Sequence, residues 1–139
     1  MNEQQIRDAL IRHVANPGDR DQHDAIRHED VVLAFPQSGE RIVGLAKIRA
    51  MREAYPADVT FDIRRIRNSG NLWVLEAVTT YNGGSPFHGV AIMEFRDGKM
   101  VQETIYGGDP WEPPAWRAQW TESAERATSP IDRELVDTP

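Results

Sequence analysis

Glu103, in the run VQETIY, is the leading candidate for proton transfer in this chain. Set among Ala77, Ala91, Met93 and Ile105, a carboxyl group would have its pKa raised by desolvation, which suits it to give or take a proton near neutral pH. Its direction depends on the Asp97-Gly98 turn. With a two-residue turn, Arg96 faces Lys99 and Met93 faces Gln102, so that Gln102, Thr104 and Tyr106 come beside Ala91 and Met93 and the pocket is neutral and hydrogen-bonding. With an Arg96-Asp97-Gly98 loop and a bulge at Gly98, Ala91 faces Glu103, and Glu103 and Ile105 point inward.

Other groups have suitable chemistry but less support. His88, just after a turn, has the type for an acid-base group at a pocket mouth, although a surface histidine is the commoner case. Glu76 and Glu94 are expected near each other on the opposite face, in solvent or at a dimer face. His28-Glu29-Asp30 has metal-ligand types, yet consecutive residues on a turn diverge too far to hold one ion. Tyr81, Tyr106 and Asp109 form a polar set near the end of the sheet, although an aspartate before a proline, as Asp109 is before Pro110, more often fixes a turn. Trp111, Trp116 and Trp120 are candidates for a lid over an apolar ligand or for packing against the sheet or a second subunit. His13 and His23 belong to no evident constellation.

The composition narrows the functions available. A chain of 139 residues makes one domain, and a net charge of −6 provides no field for phosphate backbones, so nucleic acid is not an expected partner. The lack of cysteine excludes disulfides, thiolate metal sites and a cysteine nucleophile. No apolar run approaches the roughly 20 residues that span a bilayer, and the polar start MNEQQIRDAL is unlike a signal peptide, which points to a cytoplasmic protein with no membrane partner.

The elements that must position these residues follow from periodicity. Ile6, Ala9, Leu10 and Val14 form one stripe of a helix over Asn2–Ala15, stopped by Asn16-Pro17-Gly18. Asp19 caps a second short helix with Ala25 and Ile26 as its apolar contacts, ending at His28-Glu29-Asp30. Val31 to Phe35 make a buried strand stopped by Pro36, and Arg41-Ile42-Val43 pairs back on it. Gly44 opens a third helix with Leu45, Ile48, Met51 and Ala54 or Tyr55 on one side, and Pro56 follows its end. From Asp58 to Asp109 the period is two: strands over Val59–Ile66, Leu72–Tyr81, Phe87–Arg96 and Lys99–Tyr106, separated by polar turns. Pro114 starts a short helix with Trp116 and Trp120 one turn apart, which should lie on something apolar. The reading is a domain over 1–122 with helices first and an antiparallel meander second, an α+β order, and a polar tail over 123–139 that frays unless a partner holds it.

Two short helices, HEDVVLAFP, a glycine-opened helix AKIRAMREAY and the EFRDGKM hairpin, in this order, resemble the SnoaL-like branch of the nuclear transport factor 2-like superfamily over roughly Gln5 to Trp120. The resemblance implies a cone-shaped α+β fold, with a curved antiparallel sheet wrapped around N-terminal helices and a deep apolar pocket, commonly as a homodimer. It also favours the inward direction of Glu103. Members include polyketide cyclases, ketosteroid isomerases and epoxide hydrolases, but their catalytic positions are changed here. The isomerase carboxylates fall at Phe35 and Ala91. The epoxide hydrolase arginine and aspartates fall at Ala77, Thr79 and Ile105, and the cyclase histidine and aspartate at Ala91 and Ile105.

The resulting expectation is a pocket of Phe35, Ala77, Thr79, Tyr81, Ala91, Met93, Ile105, Tyr106 and Trp111 that binds a small apolar or polycyclic molecule, with Glu103 as the catalytic candidate and no metal or organic cofactor. Isomerisation, cyclisation or dehydration are the reactions such a site suits. The competing expectation is a non-catalytic ligand-binding or dimerisation module that has lost the family's chemistry.

Overall fold

In a computed structural model, which describes residues 2–54 and 58–124, three helices precede and interrupt a six-stranded sheet. Helix α1, Glu3–Ala15, begins with a capping box in which the Asn2 side chain accepts from the Gln5 backbone and Gln5 reciprocates. Its buried stripe is Ile6, Ala9, Leu10 and Val14, as the spacing predicts. Helix α2, Arg20–Ala25, is capped by Asp19, whose side chain accepts from Gln22.

Strand β1 is longer than the sequence suggests. It runs from Arg27 to Phe35, so His28-Glu29-Asp30 lies within a strand rather than at a helix end. The distortion is local: four residues of β1, His28 to Val31, stand against Val101 alone on the neighbouring strand. Strand β2, Glu40–Val43, pairs back on β1, and Gly44, at φ +97, donates its N–H to the Val31 carbonyl and opens helix α3, Leu45–Ala54. Of the expected face of α3, Ile48 is fully buried while Met51 and Ala54 are exposed. Tyr55 and Pro56, read as the helix end, lie outside the described residues, as does the tail from residue 125.

The remaining strands are β3, Val59–Ser69, β4, Leu72–Tyr81, β5, Phe87–Arg96, and β6, Lys99–Gly108. Sheet order is β2-β1-β6-β5-β4-β3, antiparallel except for the parallel seam between β1 and β6. Bulges bend it: Arg64 is an extra residue in β3 and Val101 in β6. The bend gives a concave face against which the helices pack. There Ile6, Ala9 and Leu10 of α1, Ile48 of α3, Val31 and Leu33 of β1, Trp73, Met93, Phe95 and Met100 make one core. At roughly 1.5–3 kcal/mol for each fully buried large side chain, this cluster holds the helices on the sheet.

The Trp helix departs from expectation. Ala115–Trp120 forms a 3-10 helix that buries no residue, and Trp111, Trp116 and Trp120 keep 73–79% of their surface exposed.

Candidate functional site

The hairpin between β5 and β6 combines features of both sequence readings. Asp97 and Gly98, at φ +53 and +77, form a two-residue turn, with Arg96 paired to Lys99 and Phe95 to Met100. One residue further, the Val101 bulge shifts the ladder, so Met93 faces Glu103 and Ala91 faces Ile105. The bulge expected at Gly98 is therefore at Val101, and Glu103 turns inward because one extra residue reverses the parity of the strand.

Glu103 is buried, but among charges rather than in a purely apolar setting. Its Oε1 accepts from Arg27 Nη2 at 3.0 Å, while Arg27 Nη1 donates to the His23 carbonyl at 2.8 Å. Burial pushes the Glu103 pKa up, but the charge and hydrogen bond of Arg27, with further help from Arg52 and His13, outweigh it and hold the carboxyl below its usual value. The expectation of a raised pKa is corrected for that reason. The pair is almost dry, with side-chain exposures of 2% for Arg27 and 9% for Glu103.

Two histidines with no pattern in the sequence meet beside this pair. The rings of His13, on α1, and His23, on α2, have centroids 5.3 Å apart at an interplanar angle of 60°. Burial, then the positive charge of Arg27, lowers His13 to about 4. The same causes, in the same order, lower His23 further. Both imidazoles are neutral at pH 7. His23 Nδ1 lies 3.1 Å from Asp24 Oδ1. Burial raises Asp24, but hydrogen bonds from Arg49 and His23 win and keep it ionised. An ionised carboxylate only accepts, so His23 carries its proton on Nδ1 and presents a lone pair at Nε2. Among the described residues, His23 Nε2 and His13 Nδ1 are buried without a hydrogen-bond partner.

These groups adjoin a cavity of about 400 Å³ in the mouth of the cone. His13, His23, Asp24, Arg49, Arg52 and Tyr81 line one part of it, and Leu33, Phe35, Val59, Phe61 and Ile105 supply apolar wall. Arg52, on α3, is lowered to about 10 by burial and by Arg27. Burial likewise raises the Tyr81 hydroxyl, against the opposing charge of Arg52.

The expected pocket residues divide into three groups. Phe35, Tyr81 and Ile105 line the cavity. Ala77, Thr79, Ala91 and Met93 do not; Ala77, Thr79 and Met93 are buried in the sheet's concave face, and Ala91 packs against the core. Tyr106 and Trp111 line a different hollow, an open groove of about 660 Å³ on the outer face with Glu76, His88 and Asp109. Residues alternate faces along a strand, so Tyr106 beside Ile105 had to point the other way. The set Tyr81, Tyr106 and Asp109 is thereby split. Glu76 and Glu94 are also separated, opposite Val90 and Leu72 respectively. His28 Nδ1 accepts from the Asp30 backbone at 3.0 Å, a local turn bond, and no group of three metal-ligating side chains occurs among the described residues.

Arg27, His13, His23 and Arg52 were not singled out from the sequence. A signal existed for His13: it lies three residues after Leu10 and seven after Ile6, on the apolar stripe of α1, where a polar residue is enclosed with the core.

A bent sheet closing on three helices, with polar groups gathered in the mouth of the cone, defines the nuclear transport factor 2-like class. Within it, the profile of the SnoaL-like domain matches residues 8–103, and the chain belongs to that family. A nuclear transport factor 2-like protein of unknown function from Burkholderia xenovorans LB400 is 44% identical, with a TM-score of 0.81 over 88% of this chain and 98% of that one. A candidate ketosteroid isomerase from Kribbella flavida DSM 17836 is 26% identical, with a TM-score of 0.75 over 94% and 95%. A candidate SnoaL-like polyketide cyclase from Jannaschia sp. CCS1 shares the fold at 16% identity and a TM-score of 0.63, over 76% and 86%. No curated protein matches the chain. No described helix is long and apolar enough to cross a membrane.

Proposed function

We propose that the chain binds a small, mainly apolar molecule in the cone and moves a proton on it, using His23 and His13 where related proteins use carboxylates. The observation that carries this reading is the placing of two neutral imidazoles, each with an unpartnered buried nitrogen, beside a cavity of about 400 Å³ walled by Phe35, Phe61 and Ile105. A cavity of this size suits a ligand of one to three rings.

In this reading His23 is the base. Asp24 fixes its tautomer, so Nε2 carries a lone pair without a prior proton loss. A base so easily deprotonated is weak in isolation. Abstraction of a proton α to a carbonyl, however, creates an enolate near Arg52 as the imidazolium forms, and the two opposite charges stabilise each other. His13 serves as the partner that returns the proton. Glu103 acts through Arg27, neutralising it and holding it on the His23 carbonyl, which makes it a positioning residue. Isomerisation and cyclisation both need such a proton transfer and no cofactor.

Exchange of the α-protons of 2-tetralone in D2O, followed by NMR, tests the reading. Exchange should be faster with the protein than in buffer, and His23→Gln should cut the acceleration by about 100-fold or more. Protein that binds the ketone but leaves its exchange rate at the buffer value would instead be a binding module, a reading favoured by how firmly Arg27 occupies Glu103. The exposed Tyr106 and Trp111 of the outer groove also suit a homodimer contact, which sedimentation equilibrium would detect.

A further inference from the structure

We infer that the ligand of this cavity carries an anionic oxygen group, a carboxylate on a small aromatic or polycyclic body, and that Arg52 receives it. The inference rests on the cone cavity being the ligand site and adds the ligand's charge.

Charge accounting around the cavity gives the reason. Three arginines line it: Arg20, Arg49 and Arg52. Arg20 Nη1 is 3.1 Å from Glu53 Oε1, and Arg49 is bound through two nitrogens to Asp24 Oδ2. Arg27, behind the wall, has Glu103. Arg52 is the exception: among the described residues it has neither an ion pair nor a hydrogen bond, although it is partly buried. The two histidines contribute no charge at neutral pH, and the nearest carboxylates are already engaged by other guanidinium groups. In a chain whose net charge is −6, the cavity therefore keeps one uncompensated positive charge.

A partly desolvated guanidinium with its donors unused is costly to maintain, and a planar oxyanion that takes two of those donors side by side relieves the cost. Burial already lowers its pKa, as expected for a cation that lacks a compensating partner. The rest of the cavity agrees with a flat amphipathic molecule. Phe35, Phe61 and Ile105 would cover its ring faces. A phosphate ester fits less well, since its second charge would find no second unpaired guanidinium among the residues that line the cavity.

The test compares 2-naphthoate with its neutral isostere 2-naphthamide by isothermal titration calorimetry at pH 7, on wild-type protein and Arg52→Gln. Naphthoate should bind at least about tenfold more tightly than the amide, as a charge-assisted pair with a guanidinium would give, and 0.5 M NaCl should shrink that preference. In Arg52→Gln the preference should be lost, so that the two ligands bind alike. Equal binding of both by the wild type would overturn the inference while leaving the cavity reading intact. Binding of neither would overturn both. The wild-type comparison is decisive even if Arg52→Gln fails to fold, which circular dichroism would reveal.

Discussion

The two faces of the sheet carry the same kinds of side chain and do different things with them. The outer groove has His88, Tyr106, Glu76 and Asp109 and is the larger, at about 660 Å³ against about 400 Å³. On the inner side His13 and His23, from helices α1 and α2, meet each other beside the buried Glu103 of the concave face. What separates them is enclosure. Helices α1, α2 and α3 take water away from the inner groups, so imidazoles lose their protons, a carboxylate has to find Arg27, and two imidazole nitrogens go without a hydrogen bond. Volume and residue type do not make a chemical site; desolvation of polar groups that still have bonding capacity does.

The largest effect should come from breaking the inner ion pair. Arg27→Met leaves Glu103 charged and buried, and urea unfolding should show a loss of about 3–5 kcal/mol. Arg27→Met with Glu103→Met together should recover most of it, because two apolar groups remove both desolvation costs. Failure of the double variant to recover would mean that the pair specifies the packing.

Acid should weaken the inner face next. The folded protein keeps His13 neutral down to about 4, whereas the unfolded chain takes up that proton near 6.5. The unfolded state thus binds more protons in this window, and stability present at pH 7 falls as the pH drops from about 6.5 toward 4, by about 3 kcal/mol for His13 alone. His23 is lowered still further and adds a loss of the same sign, and the depressed Glu103 adds its own as it is finally protonated. Unfolding free energies at pH 7, 5.5 and 4.5 measure the slope, and His13→Gln should flatten it.

A smaller effect should reach the inner cavity through Phe87. A methyl group at Gly107, beside the outer groove, would stand 2.9 Å from Phe87 Cε2, and Phe87 stacks on Tyr81 of the inner cavity at 5.3 Å. Gly107→Ala should cost about 1–2 kcal/mol and, through Phe87 and Tyr81, alter 2-naphthamide affinity. Least of all, His88→Gln in the open groove should change stability by under about 0.5 kcal/mol and leave naphthamide binding as it was. Loss of binding there would move the functional site outward.

Much of the architecture was readable without a structure, because the apolar stripe of α1, the Asp19 cap, the Gly44 helix start and the strands from Val59 onward are set by residues within a few positions of one another. Those local signals, with the order of the elements, were enough for the SnoaL-like fold and for naming Glu103 as the candidate, with its direction left to the geometry of the hairpin. The resemblance also implies that the family's usual catalytic positions fall at Phe35, Ala77, Thr79, Ala91 and Ile105.

Tertiary structure alone decided the character of the site. A bulge at Val101, invisible in a regular alternation of residues, turned Glu103 inward. Arg27, 76 residues earlier in the chain, was delivered to it by the parallel seam of β1 and β6, and changed the expected direction of its pKa. His13 and His23 became a pair only when two separate helices packed over the cone. Local periodicity tells which face a residue occupies, but desolvation and charge pairing depend on what the folded chain brings across tens of residues, and those interactions set the chemistry.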